Sequence, residues 1–208
     1  MIDKICTFLT NKIRKEMPEI DDEKAEVINY GLQNIVGEIP KIFLIFIIAF
    51  FLGILKEVFI TFLVLLPYKS FSGGFHLKTH LGCIIGTTVF YCGIVILSKY
   101  IVLSEIIKYI IIIATWIFGI FMIKLYAPAD TENVPILETK VRKQKQILSY
   151  ICLTIGLIAA AIIKDNLISN ILIFGNLLQT ISITKLAYKL TNNKYGYEVY
   201  GETSVQNT

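Results

Sequence analysis

Charged residues are missing from long stretches of this chain and crowded into the segments between them. Of 208 residues, 55% are hydrophobic and only 17% charged. A soluble domain carries about 25% charged residues. A soluble helical bundle also needs a polar face along each helix, and several stretches here have none. The pattern is that of an all-α polytopic membrane protein.

Six hydrophobic segments are expected, at about 40–55, 58–67, 81–97, 102–126, 147–163 and 167–187. The second ends at Pro67 and is short of the about 20 residues that a crossing requires. With the first it reads as a tight helical hairpin, or as a span that does not cross fully. Glu105 and Lys108 interrupt the fourth at i, i+3, a spacing at which they could pair. Ser169, Asn170, Asn176 and Gln179 dilute the sixth.

Residues 1–38 read as amphipathic interfacial helices. Ile2, Ile5, Cys6, Leu9 and Ile13 repeat at three and four, with Lys4, Lys12, Arg14 and Lys15 around them. Pro18 breaks that pattern. A second stretch starts at Asp21, Asp22 and Glu23, residues suited to a helix N-terminus, and carries Gln33. The charged N-terminus argues against a cleavable leader. Residues 39–187 form the membrane domain, with a cytoplasmic loop at 124–146, and 188–208 form a polar, loosely ordered tail. Six crossings with the N-terminus inside leave only Lys56, Lys99, Lys108 and Lys164 of the 20 basic residues outside. That bias supports an orientation with both termini in the cytoplasm. If 58–67 failed to cross, the bias would be lost.

The formal net charge of +4 suits a protein beside anionic lipid. The basic residues form no dense stripe, so no nucleic-acid partner is expected. Cys6, Cys83, Cys92 and Cys152 lack CxxC spacing, and no disulfide framework is expected. Cys6, Cys92 and Cys152 read as inert small hydrophobes.

The stretch 67–83 differs from everything around it. Gly73 and Gly74 are followed by His76 and His80, the only 2 histidines, and then by Cys83. A thiol attacks a carbonyl as thiolate and needs a base or a cation beside it. Histidine suits that work near neutral pH. On a straight helix His76 and Cys83 share a face roughly 10 Å apart. The glycine pair favours an irregular backbone that would let His76 fold back. His80, at i−3, is the nearer candidate base on geometry alone. A zinc site made by His76, His80 and Cys83 is a rival reading, and polar interfacial residues without chemistry are another.

Residues 72–83 resemble the signature of the AgrB family, the membrane cysteine endopeptidases of Gram-positive quorum sensing. Residues 126–136 resemble that family's cytoplasmic loop. The resemblance implies His76 as general base and Cys83 as nucleophile, with His80 in a supporting role at most. It also implies supporting roles for Gln33 and Gly74. Lys69 stands where the family often has arginine, keeping the charge but not the bidentate fork. The implied substrate is an AgrD-like precursor peptide with an amphipathic helix and an acidic tail. Cys83 would release the tail, hold the peptide as a thioester, and pass it to an internal cysteine or serine that closes a thiolactone or lactone. Thioester exchange needs no ATP, no phosphate loop is present, and neither a cofactor nor a metal is expected. The resemblance also implies a homodimer. Lys140, Arg142, Lys143 and Lys145 serve either as topology determinants or as a site for the acidic tail. A peptide exporter without proteolysis, with a pathway marked by Glu105 and Lys108, is the other alternative.

Overall fold

The computed structural model describes residues 2–205 except 18, 78 and 133; inside helices, 2, 3, 23, 27, 30, 33–35, 80 and 201–205 are described by backbone only. Among the described residues there are helices and no strands. They are α1 (Ile2–Glu16), α2 (Asp22–Phe51), α3 (Leu55–Ser72), α4 (His80–Tyr100), α5 (Glu105–Tyr126), α6 (Thr139–Ile162), α7 (Asn166–Ser182), α8 (Lys185–Leu190) and α9 (Gly196–Val205).

Two expected elements are one. The acidic start at Asp21, whose carboxylate accepts from Lys24 N at 2.8 Å, caps a 30-residue helix that runs through Pro40 into the first apolar segment. The helix α3 likewise continues past Pro67, where a stop was expected. A proline removes one backbone bond and bends a helix, but packing of the residues beyond it can hold the helix together. Here Tyr68 and Ser72 are buried, and Tyr68 Oη shares a 2.8 Å hydrogen bond with Thr180 Oγ1 on α7. At 18 residues α3 is about 27 Å long, close to the hydrocarbon thickness.

Among the described residues three helices are long and apolar enough to cross a membrane: Leu81–Tyr100, Glu105–Tyr126 and Thr139–Ile162. At most 33% of each apolar window is buried inside the protein, so most of it faces outward. Phe121, Ile117, Ile113 and Ile155 are among the exposed apolar side chains. By contrast α7 is an inner helix, packed against α3, α4, α5 and α6. That position explains its polar residues. A buried amide or hydroxyl needs a partner, and each finds one. Asn170 Nδ2 donates to Ile101 O at 2.8 Å, closing the end of α4. Ser169 Oγ donates to Ala160 O at 2.7 Å.

The helices α3 to α7 run alternately up and down. The segments after α3, α5 and α7 therefore meet at one end. The connections 52–54, 101–104 and 163–165 lie at the other, where Lys99 pairs with Glu57 at 3.7 Å. In the first part of the tail Tyr188 and Tyr195 are each 2% exposed.

Candidate active site

Between α3 and α4 the chain makes a short irregular crossing. Gly73 has φ +75° and Gly74 φ +144°, values that side-chain-bearing residues rarely adopt. A Cβ on Gly73 would also lie 2.2 Å from Ala129 O. That closeness has a purpose in the fold. Ala129 N donates to Ser72 O at 2.8 Å, and Gly74 N donates to Ala129 O at 3.0 Å, joining this crossing to the segment after α5. From α7, Gln179 Nε2 donates to Gly73 O at 2.8 Å and to Ser72 Oγ at 3.0 Å.

The crossing ends at Thr79, whose hydroxyl caps α4 by accepting from Gly82 N at 3.0 Å. Cys83 therefore lies in the first turn of α4, where the helix dipole favours negative charge. Because 73–77 are not helical, His76 and Cys83 are not held to their separation along a straight helix. The His76 and Cys83 side chains line the same cavity, close enough for the imidazole to act on the thiol, and Lys41 of α2 is near enough to the sulfur to favour its negative charge. Lys41 is itself buried and paired with Glu38.

A cavity of about 290 Å³ opens on the sulfur. Phe75, Leu77 and Phe90 give it apolar walls, while His76, Lys69, Glu38 and Gln179 supply the polar groups. The Lys69 ammonium lies 5.6 Å from the centre of the Phe90 ring and 5.9 Å from that of Tyr91, a cation–π arrangement. Two ammonium groups, one carboxylate and an imidazole thus stand around the thiol. Such a set can hold a thiolate, accept its proton, and stabilise charge that develops on an attacked carbonyl.

Four of the expected site residues, His76, Cys83, Gly74 and Lys69, line this one cavity. Gln33 lies on α2 and His80 opens α4, but their side chains fall outside those described. Among the described residues no three His, Cys, Asp or Glu side chains gather as metal ligands. The basic residues of 140–145 differ in their surroundings. Lys140 and Lys143 are exposed and Lys145 is half-buried. Arg142 is committed to the protein: its guanidinium lies 3.1 Å from Asp130 Oδ2, donates to Ile136 O and Pro128 O at 3.2 Å each, and stacks 4.2 Å from the Tyr197 ring. Glu105 and Lys108 do pair, at 3.2 Å, but in the first turn of α5 at the end opposite the cavity.

Sequence reasoning missed Glu38, Lys41 and Asn193. Asn193 Nδ2 donates to His76 O at 2.7 Å from the tail. Gln179 was visible only as a polar residue in an apolar segment.

The fold and site define an all-α protein with membrane-length apolar helices and a thiol–imidazole cleft where the loops of one end converge. The chain belongs to the AgrB family: the family profile, described as accessory gene regulator B, matches residues 6–183. A Listeria innocua serovar 6a protein described as AgrB-like is 30% identical over 190 residues, 90% of this chain and 91% of its own. One from Listeria monocytogenes serotype 4a is 29% identical over 192 residues, and one from Clostridium acetobutylicum 24% over 199, again covering 90% or more of this chain and 91% of each relative. No solved structure matches the chain. Membership supports a role in the agr quorum-sensing system and is compatible with a peptidase.

Proposed function

We propose that this protein is a membrane-embedded cysteine endopeptidase that removes the C-terminal tail of an AgrD-like precursor and supports its cyclisation. The placing of His76 and Cys83 side by side in one walled cavity carries the reading. His76 takes the thiol proton, and the Cys83 sulfur attacks the carbonyl before the tail. The C–N bond breaks, the new amine leaves with the proton from His76, and the peptide stays on sulfur as a thioester. An internal thiol or hydroxyl of the peptide then attacks that carbonyl. A thiolactone or lactone forms, and Cys83 leaves with its proton restored. The exchange of one thioester for another is nearly neutral, so no nucleotide is required.

Phe75, Leu77 and Phe90 favour cyclisation over hydrolysis by limiting water at the acyl-enzyme. Lys41 and Lys69 favour the anionic states of the path. In this reading the apolar part of α2 and the helices α3 to α7 make six crossings. Lys124, Lys140, Arg142, Lys143, Lys145, Lys185, Lys189 and Lys194 lie at the end that carries the cavity, and Lys56, Lys99, Lys108 and Lys164 at the other. The positive-inside rule then puts the cavity on the cytoplasmic side, with lipid around the helices.

The test uses purified wild type, Cys83→Ala and His76→Ala in detergent with a synthetic precursor, followed by mass spectrometry. Cleavage and a peptide adduct on Cys83 are expected in wild type alone. Processing that survives Cys83→Ala would overturn the proposal, and sensitivity to a chelator would favour the zinc reading instead.

A further inference from the structure

The segment from Thr184 to Tyr197 lies past the stretch matched by the family profile, and it packs as a strap against the cavity end of the protein. Tyr188 Oη donates to Ala129 O at 2.8 Å and to Asp130 O at 3.1 Å. Ala129 O is the same carbonyl that receives Gly74 N. Burial, with the Asp130 carboxylate nearby, holds the Tyr188 phenol well above its usual pKa, so it stays a neutral donor. Tyr195 stacks on Tyr188 with ring centres 4.1 Å apart and donates to Ile183 O at 2.9 Å. Gly196 presses so closely on the loop after α5 that a Cβ there would lie 2.5 Å from Thr131 O. The turn between these anchors has Asn192 at φ +56° and is closed by Asn193 N donating to Tyr188 O at 2.9 Å.

From that turn Asn193 Nδ2 reaches His76 O at 2.7 Å, while also bonding Thr191 O and Oγ1 at 3.2 and 2.9 Å. Its neighbour Thr191 lines the cavity. The glycine turn before His76 is held by Gln179 and Ala129, and Thr79 caps the helix that carries Cys83. At His76 itself the backbone is held by Asn193. We propose that the strap is a positioning element for the cysteine site, with Asn193 as the positioning residue that fixes where the His76 imidazole meets the Cys83 sulfur. The proposal rests on the reading of His76 as base for Cys83. A side chain whose carbonyl is tethered can swing only about its own torsions. Release of the tether lets the whole residue drift, and a displacement of about 1 Å at a reacting group lowers rate by up to roughly 10²-fold.

The test compares Asn193→Asp, which keeps the shape but removes both amide donors, with Asn193→Ala, His76→Ala and wild type. Three quantities are read: kcat and KM on a synthetic precursor, the rate of iodoacetamide alkylation of Cys83 located by mass spectrometry, and Tm. For both Asn193 variants kcat is expected to fall about 10–100-fold with KM within about 2-fold, and Cys83 alkylation at pH 7 to slow about 10-fold, both measured per folded molecule. An Asn193→Asp protein that is folded with wild-type kcat and alkylation overturns the strap. Losses that vanish once corrected for folded fraction overturn it equally, since the amide then only closes its own turn. If His76→Ala itself leaves kcat and alkylation unchanged, the parent reading fails; if His76→Ala is inactive and Asn193→Asp is not, the strap alone fails.

Discussion

Gln179, on the buried side of α7, donates to Gly73 O at 2.8 Å, so the innermost helix holds the glycine turn that precedes the imidazole. The amide is 1% exposed and also satisfies Ser72 Oγ. One side chain therefore serves the core and the site together.

Gln179→Leu removes this donor and leaves a buried carbonyl without its partner. The cost is about 1–3 kcal/mol for such a group. The expected outcome is a lowered Tm together with a fall in precursor cleavage beyond what the lost folded fraction explains. Thermal melting and single-turnover cleavage of the same preparation check it. Wild-type cleavage in a folded Gln179→Leu protein would show that the turn keeps its shape without α7.

Gly73→Ala is expected to be far more damaging than Gly53→Ala, although both glycines have positive φ, +75° and +67°. At Gly53 an added Cβ meets nothing within 4 Å, so the penalty is backbone strain alone, on the order of 1 kcal/mol. At Gly73 the Cβ would enter the Ala129 carbonyl, and the Ser72–Ala129–Gly74 bonds would have to break. Melting curves of the two variants should separate clearly, with only Gly73→Ala losing processing.

Much of this site was legible in the sequence because its chemistry is local. Gly73, Gly74, His76 and Cys83 stand within eleven residues, and the glycine pair already signals a backbone that can fold an imidazole back onto a helix start. The helices were legible too, since uncharged runs mark them. What was hidden came from packing between distant segments. Pro67 looked like a stop because the burial of Tyr68 and Ser72 against α7 cannot be seen along the chain. Lys41 looked like an inside charge at a span boundary, and only the packing of α2 on α4 brings its ammonium to Cys83. Asn193 sits in a polar tail with no periodicity, and 117 positions separate it from His76.

Lys69 is expected to matter as a cation and not as a fork. Its ammonium lies over Phe90 on the cavity wall, where an uncharged side chain of similar length would keep the packing and lose the field. Lys69→Met should lower kcat/KM on a precursor about 10-fold, equivalent to about 1.4 kcal/mol of transition-state stabilisation, while Lys69→Arg keeps most of it. Steady-state cleavage of one peptide by the three proteins checks the order. An active Lys69→Met enzyme would assign the lysine to the core.

Arg142 was grouped by sequence with Lys140, Lys143 and Lys145 as a candidate reader of an acidic substrate tail, and the structure separates it from them. Its partner Asp130 has a fully buried carboxylate that also accepts from Ile136 N at 2.8 Å. Breaking a buried ion pair by removing one member strands the other charge, an effect of roughly 3–5 kcal/mol. Arg142→Ala should therefore lower Tm strongly. It should also disturb cleavage of precursors with and without an acidic tail alike, because Arg142 holds Pro128 O next to the Ala129 link to the glycine turn. The double variant Lys140→Ala with Lys143→Ala removes exposed charge only and should leave Tm within a degree or two. If that pair does read the tail, its loss raises KM for an acidic precursor and leaves KM for a neutralised one unchanged. A KM that ignores tail charge in both proteins would leave these lysines as orientation signals for the membrane and nothing more.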